Sequence, residues 1–134
     1  MMANMLAFAE TRSGELRRAS FEAVTAARAA ADAAGGAVHA FVAGATGVSA
    51  LAPRLAAYGA DLLLVLEHAA FANYNPEALT ATIAARLGAG TYRAAFFCAS
   101  AQGKDLAPRV AARCRVPLLG DVTEFSVAGD AATA

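Results

Sequence analysis

The most constraining feature of this chain is the segment Asp61 to Glu67, whose interior, Leu62-Leu63-Leu64-Val65-Leu66, is large and apolar at every position. A strand with one face in water alternates apolar and polar residues. An unbroken apolar run predicts a strand covered on both faces, as crossover helices cover a parallel sheet. Similar short runs recur at Met5 to Ala9, Ala37 to Ala43 and Arg93 to Ala99. Helical spacing fills the intervals. Glu15 to Ala34 places Leu16, Ala19, Ala23, Ala27, Ala30 and Ala34 on one side, and Gly35-Gly36 supply the stop. A shorter helix is expected over Ser49 to Tyr58, with Pro53 in its first turn. Asn75-Pro76-Glu77 opens a third, with Leu79, Ile83 and Leu87 on one face. Asp105 is expected to cap a fourth helix running to Cys114, and a last short strand is expected around Val122 to Val127. The order βαβαβαβαβ predicts a Rossmann-like α/β fold, a three-layer domain around a parallel sheet.

With 58% hydrophobic and 16% charged residues over 134 positions, the chain is no disordered segment, and its length suits one domain. Much of the apolar content is alanine, which favours helix but buries little area, so the strands must supply bulk. Eleven Lys+Arg balance eleven Asp+Glu. Nucleic-acid binders carry a basic excess, so no nucleic-acid partner is expected. Cys98 and Cys114 fit no metal spacing and read as reduced core residues, and no metal site is expected. No stretch approaches the ~20 apolar residues of a membrane span. The N-terminus resembles neither a secretory leader nor an Arg- and Ser-rich transit segment, and a cytoplasmic location is expected.

In a sheet of this kind ligands bind outside the C-terminal strand ends, which here means Glu10 to Arg12, Gly44 to Gly47, Glu67-His68 and Ser100 to Lys104. Neither GxGxxG after the first strand nor GxxxxGK[ST] occurs. Gly44-Ala45-Thr46-Gly47 reads first as a tight turn, and second as a phosphate seat at a helix start. His39 inside a strand and His68 at a strand end are candidate acid–base groups that lack a partner at suggestive spacing; no catalytic residue is assigned. Glu10 and Glu67 either form a carboxylate pair or are solvated edge residues.

The stretch Ser100 to Arg113 says most. Gly103 is expected to free the backbone after the strand, Asp105 to cap, and Pro108 to fall in the first turn. Leu106, Val110 and Cys114 share an apolar stripe, while Arg109 and Arg113 share a flank that either holds a carboxylate bidentately or is simply solvated.

The string Gly103-Lys104-Asp105-Leu106-Ala107-Pro108-Arg109-Val110-Ala111-Ala112-Arg113, followed by Pro117 and Gly120-Asp121-Val122, closely resembles a signature of electron-transfer flavoprotein alpha subunits. Phe8-Ala9-Glu10, Gly14-Glu15-Leu16, Ser20, Val42-Ala43-Gly44 and Ala72-Asn73-Tyr74-Asn75-Pro76-Glu77 resemble the same family, from the first strand to about Val127. The resemblance implies an alpha-subunit N-terminal domain over residues 1–128, with the family's adenine nucleotide alpha hydrolase-like fold, and a linker stub over 129–134. The C-terminal domain that holds most of the FAD contacts would then be absent, and no cofactor is expected in this chain. It further implies a non-catalytic scaffold that pairs with a beta subunit as a heterodimer. Such carriers pass electrons from acyl-CoA dehydrogenases of fatty-acid beta-oxidation to a membrane quinone oxidoreductase. Lys104, Asp105, Arg109 and Arg113 are the expected partner-binding residues. The alternative is an adenine-nucleotide-binding module of the universal-stress type, which shares the general fold; a free-standing enzyme using His39 or His68 is a third reading.

Overall fold

A computed structural model of the chain describes residues 3–120, together with the backbone of residues 126–128 and 131–133. The elements are β1 (Asn4–Ala9), β2 (Thr11–Arg12), β3 (Glu15–Leu16), α1 (Arg18–Ala34), β4 (Val38–Gly44), α2 (Pro53–Ala56), β5 (Leu62–Glu67), α3 (Pro76–Ala89), β6 (Tyr92–Phe96), α4 (Ala101–Cys114), β7 (Ser126–Ala128) and β8 (Ala131–Thr133). Four strands form one sheet in the order β5-β4-β1-β6, every neighbouring pair parallel. The chain lays down β1, β4 and β5 in one direction, then returns across the sheet to place β6 against the far side of β1. That reversal defines the switch point of a doubly wound sheet.

Two apolar layers lie on the two faces. Met5, Ala7, Ala9, Val38, Ala40 and Val42 pack with Val24, Ala27 and Ala31 of α1 and Leu55 of α2. Leu6, Phe8, Phe41 and Ala43 pack with Leu79 and Ile83 of α3 and Leu106 and Val110 of α4. The alternation within β1 thus serves two buried faces, and the α/β three-layer expectation holds.

Several local expectations need correction. β5 is the edge of the described sheet, not a strand buried on both faces: Leu62 is 42% and Val65 40% exposed. On the side of Leu63 and Val65 the helix before it is the reason. Ser49 to Tyr58 forms a 3-10 turn at Val48–Ala50 and then only the four-residue α2, too short to cover the edge. The first helix starts at Arg18, not Glu15, because Thr11–Arg12 pairs with Glu15–Leu16 in a small antiparallel hairpin. Ser13 (φ 52°) and Gly14 (φ 78°) turn that hairpin, both in the left-handed region a two-residue turn demands. α4 is capped by Ser100, whose Oγ accepts from the Gly103 N–H at 3.0 Å. Asp105 therefore lies one turn inside the helix, and Pro108 lies in its interior. The expected Val122 to Val127 strand falls partly on residues 121–125, outside the described residues; β7 pairs antiparallel with β8 apart from the main sheet. Among the described residues no helix is long and apolar enough to cross a membrane.

Candidate functional site

The loops leaving the C-terminal ends of β1, β4 and β5, with the start of α4, enclose a groove of about 360 Å³. Phe8, Phe71 and Leu79 give it an apolar floor, and Thr11, Asn73 and Gln102 supply polar groups. The β2–β3 hairpin forms one wall, held where Thr11 Oγ1 donates to the Ala43 carbonyl at 3.1 Å.

At the switch point, beside this groove, sits a buried carboxylate. Glu10 is 2% exposed at the end of β1. Its Oε1 accepts from Ser100 Oγ at 2.6 Å, and its Oε2 lies 3.6 Å from Arg17 Nε. Its backbone is gripped as well, because Ser20 Oγ accepts from the Glu10 N–H at 2.7 Å and donates to the Glu10 carbonyl at 2.8 Å. The carboxylate also faces the N-terminus of α4, where the helix dipole favours a negative charge. The nearby Cys98 thiol is pushed up to about 11, chiefly by burial and next by Glu10, so it remains protonated and unreactive near neutral pH.

Glu67 ends β5 and reaches back over the loop of β4. Its Oε1 accepts from the backbone N–H of Gly47 (3.1 Å) and of Ser49 (3.2 Å) and from Ser49 Oγ (3.0 Å). These bonds, the Ser49 N–H first, hold its carboxyl below the ordinary carboxylate range. Within Gly44 to Gly47, the Gly47 amide is thus bonded to the chain's own acid, and the turn reading is favoured. Glu10 and Glu67 do not pair, because β4 separates their strands.

The four α4 residues singled out from sequence are exposed, as Lys104, Asp105, Arg109 and Arg113 all lie on the outer side of the helix while Leu106 and Val110 are buried. Asp105 is a small hub. It accepts from Tyr74 Oη at 2.7 Å and pairs with Arg109 Nε at 3.2 Å. Tyr74 first and Arg109 second hold its carboxyl below the ordinary range, and burial with Asp105 raises the Tyr74 phenol. The pair fastens the loop before α3 to α4. Arg113 lies one turn further along and is not part of the hub.

The structure separates the two histidines. His68 sits at the C-terminal end of β5, where its Nδ1 accepts from the Ala70 N–H at 3.0 Å and caps the 3-10 turn Ala69–Phe71. His39 lies toward the opposite, N-terminal edge. Tyr92 Oη stands 2.5 Å from its Nδ1 and accepts from Arg86 Nε at 3.0 Å, and with Nδ1 unprotonated the phenol donates to it. Burial, then Arg86, hold His39 below the ordinary histidine value, with Asp61 opposing. Because the folded value lies below the unfolded one, the unfolded chain binds more protons as the pH drops below about 6.5. Stability is expected to be full near pH 7.5 and to fall between pH 6.5 and 5. Thermal unfolding across that range should show a shallower slope for His39→Gln; an identical slope would remove His39 as its source.

Sequence reasoning missed Glu10, Ser20 and the half-buried Ser100 as a polar cluster, Glu67 as a latch, and Tyr74 as the partner of Asp105. Ser100 had a usable signal, a serine between a strand and a helix; the others depend on distant contacts. Among the described residues no group of acids, cysteines and histidines suits a metal ion.

A model of the electron transfer flavoprotein domain matches residues 5–134. The electron transfer flavoprotein subunit alpha of Syntrophomonas wolfei is 36% identical over 126 residues, 94% of this chain. That of Bacillus subtilis is 31% identical over 125 residues, 93% of the chain, and Protein FixB of Clostridium saccharobutylicum is 35% identical over 120 residues, 90% of it. The chain spans only 38%, 38% and 35% of the lengths of these relatives.

Proposed function

Because this chain belongs to the electron transfer flavoprotein family, matching its alpha subunits, we propose that it is a docking scaffold for a beta subunit, without chemistry of its own. The observation that carries this reading is the outer side of α4. There Arg109 and Asp105 form an exposed ion pair, with Lys104 and Arg113 exposed beside it, on a helix anchored underneath by Leu106 and Val110. Guanidinium groups presented on a rigid helix suit bidentate capture of a partner's carboxylates. His39 and His68 stand at opposite ends of the sheet, each bonded to a neighbour within the fold, which supports a structural part for both.

The residues at the ligand edge do not fit FAD. A flavin dinucleotide needs free amides or cations for its pyrophosphate; the described residues lining the groove carry no cation, and the Gly47 amide is bonded to Glu67. We therefore assign no flavin step to these residues. In this reading the whole carrier, with its beta subunit, serves dehydrogenases such as acyl-CoA dehydrogenases on one side and a membrane quinone reductase on the other. A cytoplasmic location and a domain limit near residue 128 belong to the same reading.

Arg109→Ala tests it. Its ion pair within one exposed helix is worth only about 0.3–0.5 kcal/mol, so the fold should persist. Titration calorimetry against the beta subunit should show affinity reduced about tenfold, the loss of one good charge-assisted contact. Equal affinity of variant and parent would take Arg109 out of the interface.

A further inference from the structure

The groove at the C-terminal edge has a chemistry that the docking reading leaves unused. Among the described residues, those lining it carry no carboxylate, ammonium, guanidinium or imidazole. Tyr74 is the one ionisable lining residue, and its hydroxyl is bonded outward to Asp105. The floor is aromatic and aliphatic, and the polar groups are hydroxyls and amides: Thr11, Ser13, Thr46, Asn73 and Gln102. At about 360 Å³ the groove stands at the small end of ligand cavities, roughly 300–1,000 Å³, the size of one ring system with one sugar. It also lies where doubly wound sheets hold their ligands.

One anion is already built in beside it. Gly47 lines the groove, and its N–H, with that of Ser49, is bonded to Glu67. A phosphate placed on this loop would lose those donors and meet a carboxylate. An uncharged ligand meets neither obstacle. We propose that this groove is a binding site for an uncharged nucleoside-like ligand, a flat ring bearing hydroxyls, and that Glu67 discriminates against its phosphorylated form. The inference is independent of whether α4 docks a partner.

Adenosine and adenosine 5′-monophosphate are suitable probes, followed by ¹H–¹⁵N NMR of the whole chain. Adenosine is expected to shift resonances of Gly47, Asn73 and Gln102, and the monophosphate to bind about tenfold more weakly, as one unfavourable charge contact would cause. In Glu67→Gln the ratio should narrow to about threefold or less. Thr46→Trp, at an exposed lining position, should obstruct the groove and abolish the shifts while circular dichroism stays that of the parent. No shifts with either ligand at millimolar concentration would overturn the proposal. So would a monophosphate that binds the parent as tightly as adenosine, or a ratio unmoved by Glu67→Gln.

Discussion

Gly103→Ala is expected to cost more than about 3 kcal/mol of stability, enough to leave a domain of this size partly unfolded. A Cβ at this position would stand 1.7 Å from the Cys98 carbonyl oxygen and 2.8 Å from its carbon. Both are backbone atoms in the connection between β6 and α4, so no side chain can swing aside. Relief requires α4 to slide off the sheet, which would break the cap from Gly103 N–H to Ser100 Oγ and lift Leu106 and Val110 out of the core. Urea unfolding followed by circular dichroism measures the loss. Gly88→Ala is the control, because nothing lies within 4 Å of its Cβ and it occupies the last turn of α3. That change should be neutral or stabilising by up to about 1 kcal/mol. A loss below 1 kcal/mol for Gly103→Ala would mean that the start of α4 is free to move away from the strand.

The glycine shows where sequence reading succeeds and where it stops. Asn75-Pro76-Glu77 specified a helix start by local chemistry, and the structure has Asn75 Oδ1 accepting from the Ala78 N–H with Pro76 at the first helical position. The apolar run at β5 specified a strand, but its edge position is set by the strand order, which no residue within β5 encodes. Gly103, Asp105 and Pro108 looked like boundary residues because glycine and proline usually punctuate. Here Gly103 is needed for close approach to Cys98, and the burial of Leu106 and Val110 sustains α4 through an exposed Pro108. The α4 residues of the candidate site were legible because they stand together in sequence. The groove was legible only as four strand ends. Its uncharged lining and the Glu67 latch depend on loops brought together from Thr11 to Gln102.

Least legible of all was Glu10, whose replacement is the second large effect. A carboxylate 2% exposed is accommodated at the switch point because Ser100, ninety positions away, donates to it and Arg17 stands beside it. The reversal of strand order opens a cleft between the ends of β1 and β6, and this bond closes it. Glu10→Ala is expected to cost about 3–4 kcal/mol, from the cavity, the lost Ser100 bond and an Arg17 left facing no acid. Glu10→Gln keeps the shape and an oxygen for Ser100 but turns an amide toward Arg17, and about 2 kcal/mol is expected. Ser100→Ala combined with Glu10→Ala should cost about 1–2 kcal/mol less than the sum of the single changes, since the two groups share one interaction. Denaturant midpoints of the four proteins test this directly. Additive losses would mean that Glu10 and Ser100 act separately, and the closure of the cleft would then need another cause.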